Sequence, residues 1–237
     1  MRLIEYYYLY GLINSIDIND FYERGVQGAS ILIYKHENYS LIYSLTSCRK
    51  VEAEYSYLMQ HERVQEMLMR KFDVLPFSFS TILLSEASLE KFCNKYNDKI
   101  LKNFENISGK IEMGVKIITS ENMVNESEKN DIKESNGYNY MIKKFKEFTS
   151  KKSKLEEIKQ KIYPIENSIS HLVNKEKKKY NQDSKIVLNG AYLIEKENID
   201  LFRECINNLE DDDNFEIIVS GPWTPYSFVS LDGKDDD

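Results

Sequence analysis

The side chains able to do acid–base, nucleophilic or metal chemistry are few and scattered. His36 falls in a polar run between two β-type stretches, His61 on the apolar face of a helical stretch, and His171 among lysines. A lone histidine on an apolar face serves most often as a satisfied core residue. No nucleophile elbow, phosphate loop or HExxH pattern occurs, and only 9 glycines among 237 residues disfavour a nucleotide-cradling loop. The acidic runs Asp211–Asp213 and Asp235–Asp237 lack the spacing of a calcium loop. Cys48, Cys93 and Cys205 are odd in number and far apart, with no CxxC, so neither a disulfide framework nor a zinc site is indicated. The expectation is a protein without catalytic residues, metal or cofactor.

What remains is the chemistry of surfaces, and two segments concentrate it. One runs from Asp73 to Thr81, where Pro76, Phe77 and Phe79 follow directly on an amphipathic helical pattern. The other, Gly221–Phe228, holds Trp223, the only tryptophan, with Pro225, Tyr226 and Phe228. Large aromatics on a proline-stiffened backbone lose little entropy on docking. They suit an intrachain latch, which the physics favours, or a contact with a partner.

Composition sets the frame for these segments. Hydrophobic residues make up 41% and charged residues 30%, the balance of a globular chain long enough for one large or two small domains. A net charge of −7 disfavours a general nucleic-acid binder. No apolar run is long enough to span a bilayer, and the Tyr-rich start carries Glu5 and no cleavage site. A cytoplasmic location without lipid contact is expected.

The elements that must position the two segments follow from periodicity. Leu3–Ile13, Ser30–Tyr34 and Tyr39–Leu45 read as strands, the last two as a hairpin across Lys35–Asn38. Glu54–Phe72 reads as a helix with Tyr57, His61, Val64, Leu68 and Phe72 on one stripe. Pro76 bars its continuation. A second helix carries Leu89, Cys93, Ile100 and Phe104, with Ser85 or Ser88 as cap. Ile111, Met113, Val115 and Ile117 alternate as a strand. This order predicts an α+β domain over residues 1–118, with helices on one face of an antiparallel sheet.

Residues 119–137 are polar and read as a linker. A second α+β domain, 138–237, begins with Lys-rich helices over Tyr138–Tyr163 and, beyond Pro164, Ile165–Tyr180. It continues with strand Ile186–Ile194, a helix carrying Phe202 and Ile206, a turn at Asp211–Asn214, strand Phe215–Val219 and an extended tail. Between Lys143 and Lys185 stand 13 Lys and six acids, a balance of +7 within a chain of −7. Interspersed acids favour a solvated helix. A nucleic-acid-binding module built on the Tyr-rich sheet and these helices is the alternative, although the RNP pattern of an RNA-stacking sheet is missing.

Six motifs in one order carry a family resemblance. They are Tyr8-Leu-Tyr-Gly11, His61 with Val64, Val74-Leu-Pro-Phe-Ser-Phe-Ser-Thr81, Gly109-Lys-Ile-Glu-Met-Gly-Val-Lys116, Tyr192-Leu-Ile194 and Gly221–Phe228. Together the chain resembles the GvpL/GvpF family of gas vesicle proteins. Ser80 departs from that pattern, which often has glycine there, and its side chain would oppose a close backbone approach. The resemblance implies a ferredoxin-like N-terminal domain and a second α+β domain with a helical segment. It also implies a non-enzymatic assembly protein or minor vesicle component that binds the hydrophobic shell protein GvpA and other gas vesicle accessory proteins. Pro76, Phe77, Phe79, Trp223, Pro225, Tyr226 and Phe228 are then the candidates for partner contact or interdomain latch.

Overall fold

The computed structural model describes residues 5–18, 21–119, 137–181, 184–208 and 215–230. Most of the expected linker, the turn at Asp211–Asn214 and the acidic tail lie outside them. The chain divides into two compact units, Met1–Glu112 with Trp223–Asp237, and Met113–Pro222.

In the first unit, β1 (Tyr6–Ile13), β2 (Leu32–Lys35), β3 (Ser40–Thr46), β4 (Val74–Pro76) and the short β5 (Ile82–Leu83) form one sheet. Its order is β2-β3-β1-β4, with β5 also paired to β1 and every pair antiparallel. The β2–β3 hairpin closes at Lys35↔Ser40, as its polar link predicts. Strand β1 is central, and its nearly unbroken apolar run reflects burial on both faces. A register irregularity between Leu9 and Gly11 re-phases it. Leu9 and Leu12 therefore share one cluster, and Tyr8, Tyr10 and Ile13 the other. Gly11 suits the close approach of β4 there, since a Cβ would meet Leu75 O and Val74 Cγ1 at 3.0 Å.

Helix α1 (Tyr55–Met69) buries His61, Val64, Gln65 and Leu68. Its Val64 and Leu68 join the cluster of Tyr8 and Tyr10. Helix α2 (Glu86–Ile107) starts on Ser85, whose side chain accepts from Ser88 N. It packs Leu89, Cys93, Ile100 and Phe104 against Leu9, Leu12 and Leu41. The helices thus divide between the two faces of the sheet, where the element order alone had suggested one. The cause is β1 itself, which offers an apolar set on each side.

In the second unit, β6 (Lys110–Thr119), β7 (Val173–Tyr180), β8 (Ile186–Glu195) and β9 (Phe215–Trp223) form a sheet of order β7-β8-β6-β9. Strands β6 and β9 cross the boundary between units at one end. Helix α3 (Gly137–Ile169) lies between β6 and β7, and α4 (Ile199–Asn207) between β8 and β9. This β-α-β-β-α-β succession is the ferredoxin-like one, so that arrangement belongs to the second unit. The first unit, with three strands before any helix, has β-β-β-α-β-β-α. The α+β class and the antiparallel sheets stand.

The Lys-rich region also differs from expectation. Helix α3 runs through Pro164 to Ile169, and Val173–Tyr180 is a strand. Helix propensity favours Lys and Glu, yet pairing along β8 from Val173↔Ile194 to Tyr180↔Leu188 overrides it. Lysines suit this strand because it lies at the sheet edge, where charge discourages pairing with other chains. No helix among the described residues is long and apolar enough to cross a membrane.

Candidate functional site

The two aromatic segments meet in the first unit around a buried polar cluster. Residues His61 and Gln65 stand four apart on α1, one turn along the same face. Tyr8 comes from β1, Phe77 from the residue after β4, and Thr224 and Tyr226 from the C-terminal segment. The imidazole is 1% exposed. Its Nε2 lies 3.0 Å from Phe77 O and its Nδ1 2.9 Å from the Tyr8 hydroxyl. A carbonyl can only accept, so the bond to Phe77 O assigns the proton to Nε2, and Nδ1 accepts from Tyr8. The Gln65 Nε2, 3.0 Å from His61 Nε2, is then a contact and not a donor to the ring. Burial, partly countered by the bond to Phe77 O, pushes the imidazole down to about 4. His61 is neutral at ordinary pH.

The Gln65 amide joins the two segments. Its Nε2 donates to Tyr10 O at 2.8 Å and Phe77 O at 3.0 Å. Its Oε1 accepts from the Tyr226 hydroxyl at 2.6 Å and the Thr224 hydroxyl at 3.1 Å. The Tyr226 hydroxyl also lies 3.1 Å from Phe77 O. Further along, Glu112 accepts from Ser227 N at 2.8 Å and Ser227 Oγ at 2.7 Å, and Asn103 Nδ2 donates to Ser230 O at 3.1 Å. Burial raises the Tyr226 and Tyr8 phenols far above their ordinary range, so both stay protonated as donors.

The candidate residues have separate fates. Phe77 is buried against the α2 side, edge-on to Phe92 at 5.7 Å. Phe79 lies on the other side, near Tyr8 at 6.1 Å and His61 at 5.8 Å. Pro76 is half-buried and pairs with Gly11. Pro225 is buried, and Tyr226 and Phe228 are half-buried. Trp223 is 47% exposed. Structure therefore brings Phe77, Phe79 and Tyr226 to one cluster and leaves Trp223 at its margin.

Gln65, Thr224, Tyr8 and Glu112 were not legible as members of this cluster. A usable signal existed for Gln65, a polar residue at four-residue spacing from His61 on an otherwise apolar stripe. Ser80 sits at φ 63, the left-handed region that glycine adopts freely. Its hydroxyl accepts from Val51 N at 2.9 Å, and its own N–H donates to the Tyr8 hydroxyl at 3.2 Å. The hydroxyl bond, which a glycine could not make, explains a serine where strain favours glycine.

Every donor and acceptor of the His61 and Gln65 side chains is engaged within the protein, and neither lines the clefts of this unit. This arrangement can hold a chain segment in place. The RNA-stacking alternative needs exposed rings on β1, whereas Tyr6, Tyr8 and Tyr10 are buried. The first unit does carry a cleft of about 1120 Å³, lined by Ile18, Phe21, Leu32, Ile33, Met67 and Phe72 among others.

Comparison with known proteins places this architecture. A relative from a Streptomyces species, gas vesicle protein L, is 20% identical over 185 residues, 74% of this chain and 69% of its own. Gas vesicle protein F1 of Halobacterium salinarum is 23% identical over 234 residues, 97% of this chain and 95% of its own. The crystal structure of GvpF from an Anabaena species matches with a TM-score of 0.76 at 18% identity, covering 95% of this chain and 98% of that one. That of GvpF from Microcystis aeruginosa matches at 0.75 and 21% identity, covering 94% and 98%. The model of the gas vesicle synthesis protein GvpL/GvpF family matches residues 6–230. The chain belongs to the GvpL/GvpF family, and its role lies in gas vesicle assembly.

Proposed function

We propose that this protein is a non-enzymatic assembly factor that binds the shell protein GvpA and other gas vesicle proteins, in the cytoplasm and at the growing vesicle. The family match over residues 6–230 carries the reading. A shell subunit that is apolar before assembly would aggregate in water, so a partner must cover that surface for a time. The first unit offers suitable groups. Its cleft combines Ile18, Phe21, Ile33, Met67 and Phe72 with β2, a sheet-edge strand open to pairing. Trp223 supplies a further half-exposed aromatic.

On this reading Tyr226, Thr224, Phe77 and Gln65 act as a latch that keeps the C-terminal segment folded onto the first unit. Contact with partners falls to the cleft and Trp223. The test is co-purification with co-expressed GvpA at low and high salt, using wild type, Ile33→Asp and Trp223→Ala. Retention at both salts, lost in Ile33→Asp, supports apolar docking at the cleft. No retention of GvpA at either salt removes it as the direct partner while family membership stands.

A further inference from the structure

Helix α3 spans 33 residues, about 50 Å at 1.5 Å per residue. Among its described side chains the buried ones lie in the second half, where Ile158, Ile162, Ile165 and Ile169 are buried in the second unit. Upstream, Leu155 is half-buried, while Phe145 and Met141 are 71% and 70% exposed. One apolar row nevertheless continues along it, although the row that carries Ile158 and Ile165 holds Lys144 and Lys151 upstream. Met141, Phe148, Leu155, Ile162 and Ile169 recur every seventh residue, and Phe145 stands four after Met141. A seven-residue apolar repeat is the pattern of a helix that packs lengthwise against another helix. Most helical stability in proteins comes from packing an apolar face, and two large apolar side chains left to solvent add none.

The charges identify the occupant. Between Met141 and Leu155 the sequence has Lys143, Lys144, Lys146, Lys151, Lys152 and Lys154 against the single acid Glu147. In the heptad frame set by the apolar repeat, Lys144 and Lys151 flank the seam and Lys152 falls on it. A second copy is disfavoured in both orientations. Parallel pairing sets Lys152 against its equivalent, and antiparallel pairing sets the flanking lysines against one another. A helix with apolar seam residues and acidic flanks complements both the stripe and the local excess of positive charge.

We infer that the N-terminal half of α3 is a docking helix for an amphipathic, acid-flanked α-helix of another protein. This surface belongs to the second unit, so the inference does not rest on GvpA binding at the first. The probe is a labelled designed peptide of about four heptads, with Leu on the seam and Glu on the flanks. Its controls carry Lys on the flanks or Ser on the seam. Binding to the full chain is read by anisotropy at roughly 50 and 300 mM salt.

The expected result is binding of the acidic peptide that weakens with salt, with both controls at least about tenfold weaker. Met141→Ser/Phe145→Ser and, separately, Lys144→Glu/Lys152→Glu should each lower affinity about tenfold or more while leaving the thermal melt unchanged. Failure of the acidic peptide to bind at about 1 mM, or equal binding by both double variants, overturns the proposal. So does sedimentation showing a wild-type dimer that Met141→Ser/Phe145→Ser abolishes, which would make a second copy the occupant.

Discussion

Replacing Gln65 tests whether the buried amide holds the C-terminal segment in place. Gln65→Met keeps the approximate volume and removes four hydrogen bonds: two to Tyr10 O and Phe77 O, and two from Thr224 and Tyr226. Neither carbonyl is stranded, because Phe77 N still donates to Tyr10 O and His61 to Phe77 O. The Tyr226 hydroxyl can turn to Phe77 O. Three bonds are then lost net, and the buried Thr224 hydroxyl is left without its Gln65 acceptor. The loss should therefore be about 3–4 kcal/mol, near 1 kcal/mol per bond plus part of a desolvation penalty. Tyr226→Phe deletes one donor and leaves Gln65 Oε1 with Thr224, so it should cost about 1 kcal/mol.

Because the Tyr226 hydroxyl can keep Phe77 O in Gln65→Met, the double variant should cost about 1 kcal/mol more than Gln65→Met, with little coupling. Urea unfolding measures these differences, read by tryptophan fluorescence. The only tryptophan, Trp223, adjoins Thr224 and so reports on this segment. An unchanged slope with a shifted midpoint isolates stability. A Gln65→Met cost no greater than that of Tyr226→Phe would refute the clamp.

Three further outcomes follow from the same cluster. In the folded chain the His61 imidazole protonates near 4, against about 6.5 when unfolded. The unfolded chain thus binds the proton first as pH falls. Stability from His61 is full above about 6.5 and declines by about 3 kcal/mol towards pH 4. A midpoint-versus-pH series should lose that slope in His61→Gln, and an unchanged slope would assign it to carboxylates. Ser80→Gly relieves the left-handed strain but loses the bond to Val51 N, so thermal melts should show little change; Ser80→Ala keeps the strain and should cost about 1–2 kcal/mol. At Gly25 a Cβ would fall on the Tyr10 hydroxyl, which accepts from Val26 N at 2.8 Å. Gly25→Ala should lower the yield of folded protein sharply, by more than Gly28→Ala, whose Cβ meets nothing within 4 Å.

Much of the fold was legible because local and long-range preferences agree. The β2–β3 hairpin, the stripe of α1, the cap at Ser85 and the alternation of β6 each rest on a pattern within a few residues. The misread segment is the one where they conflict. Val173–Tyr180 has the composition of a solvated helix, and only β8, which follows it in the chain, makes it a strand. Likewise, β1 reads as one apolar strand, and only the irregularity at Gly11 distributes its side chains between α1 and α2.

Aromatic density picked out the right segments for the candidate site but not the bonds that join them. Those bonds run between residues some 150 positions apart: Tyr226 and Phe77 differ by 149, and Tyr226 and Gln65 by 161. No periodicity within either segment encodes such a pairing. Tyr226 and Phe77, once bound to each other and to Gln65, are poor candidates for partner contact, since docking would first have to break that cluster. Trp223 is not held this way, and neither are Met141 and Phe145 on α3. Apolar groups that the fold leaves exposed are the ones an assembly protein has free to use, so substitutions there should alter association before they alter stability.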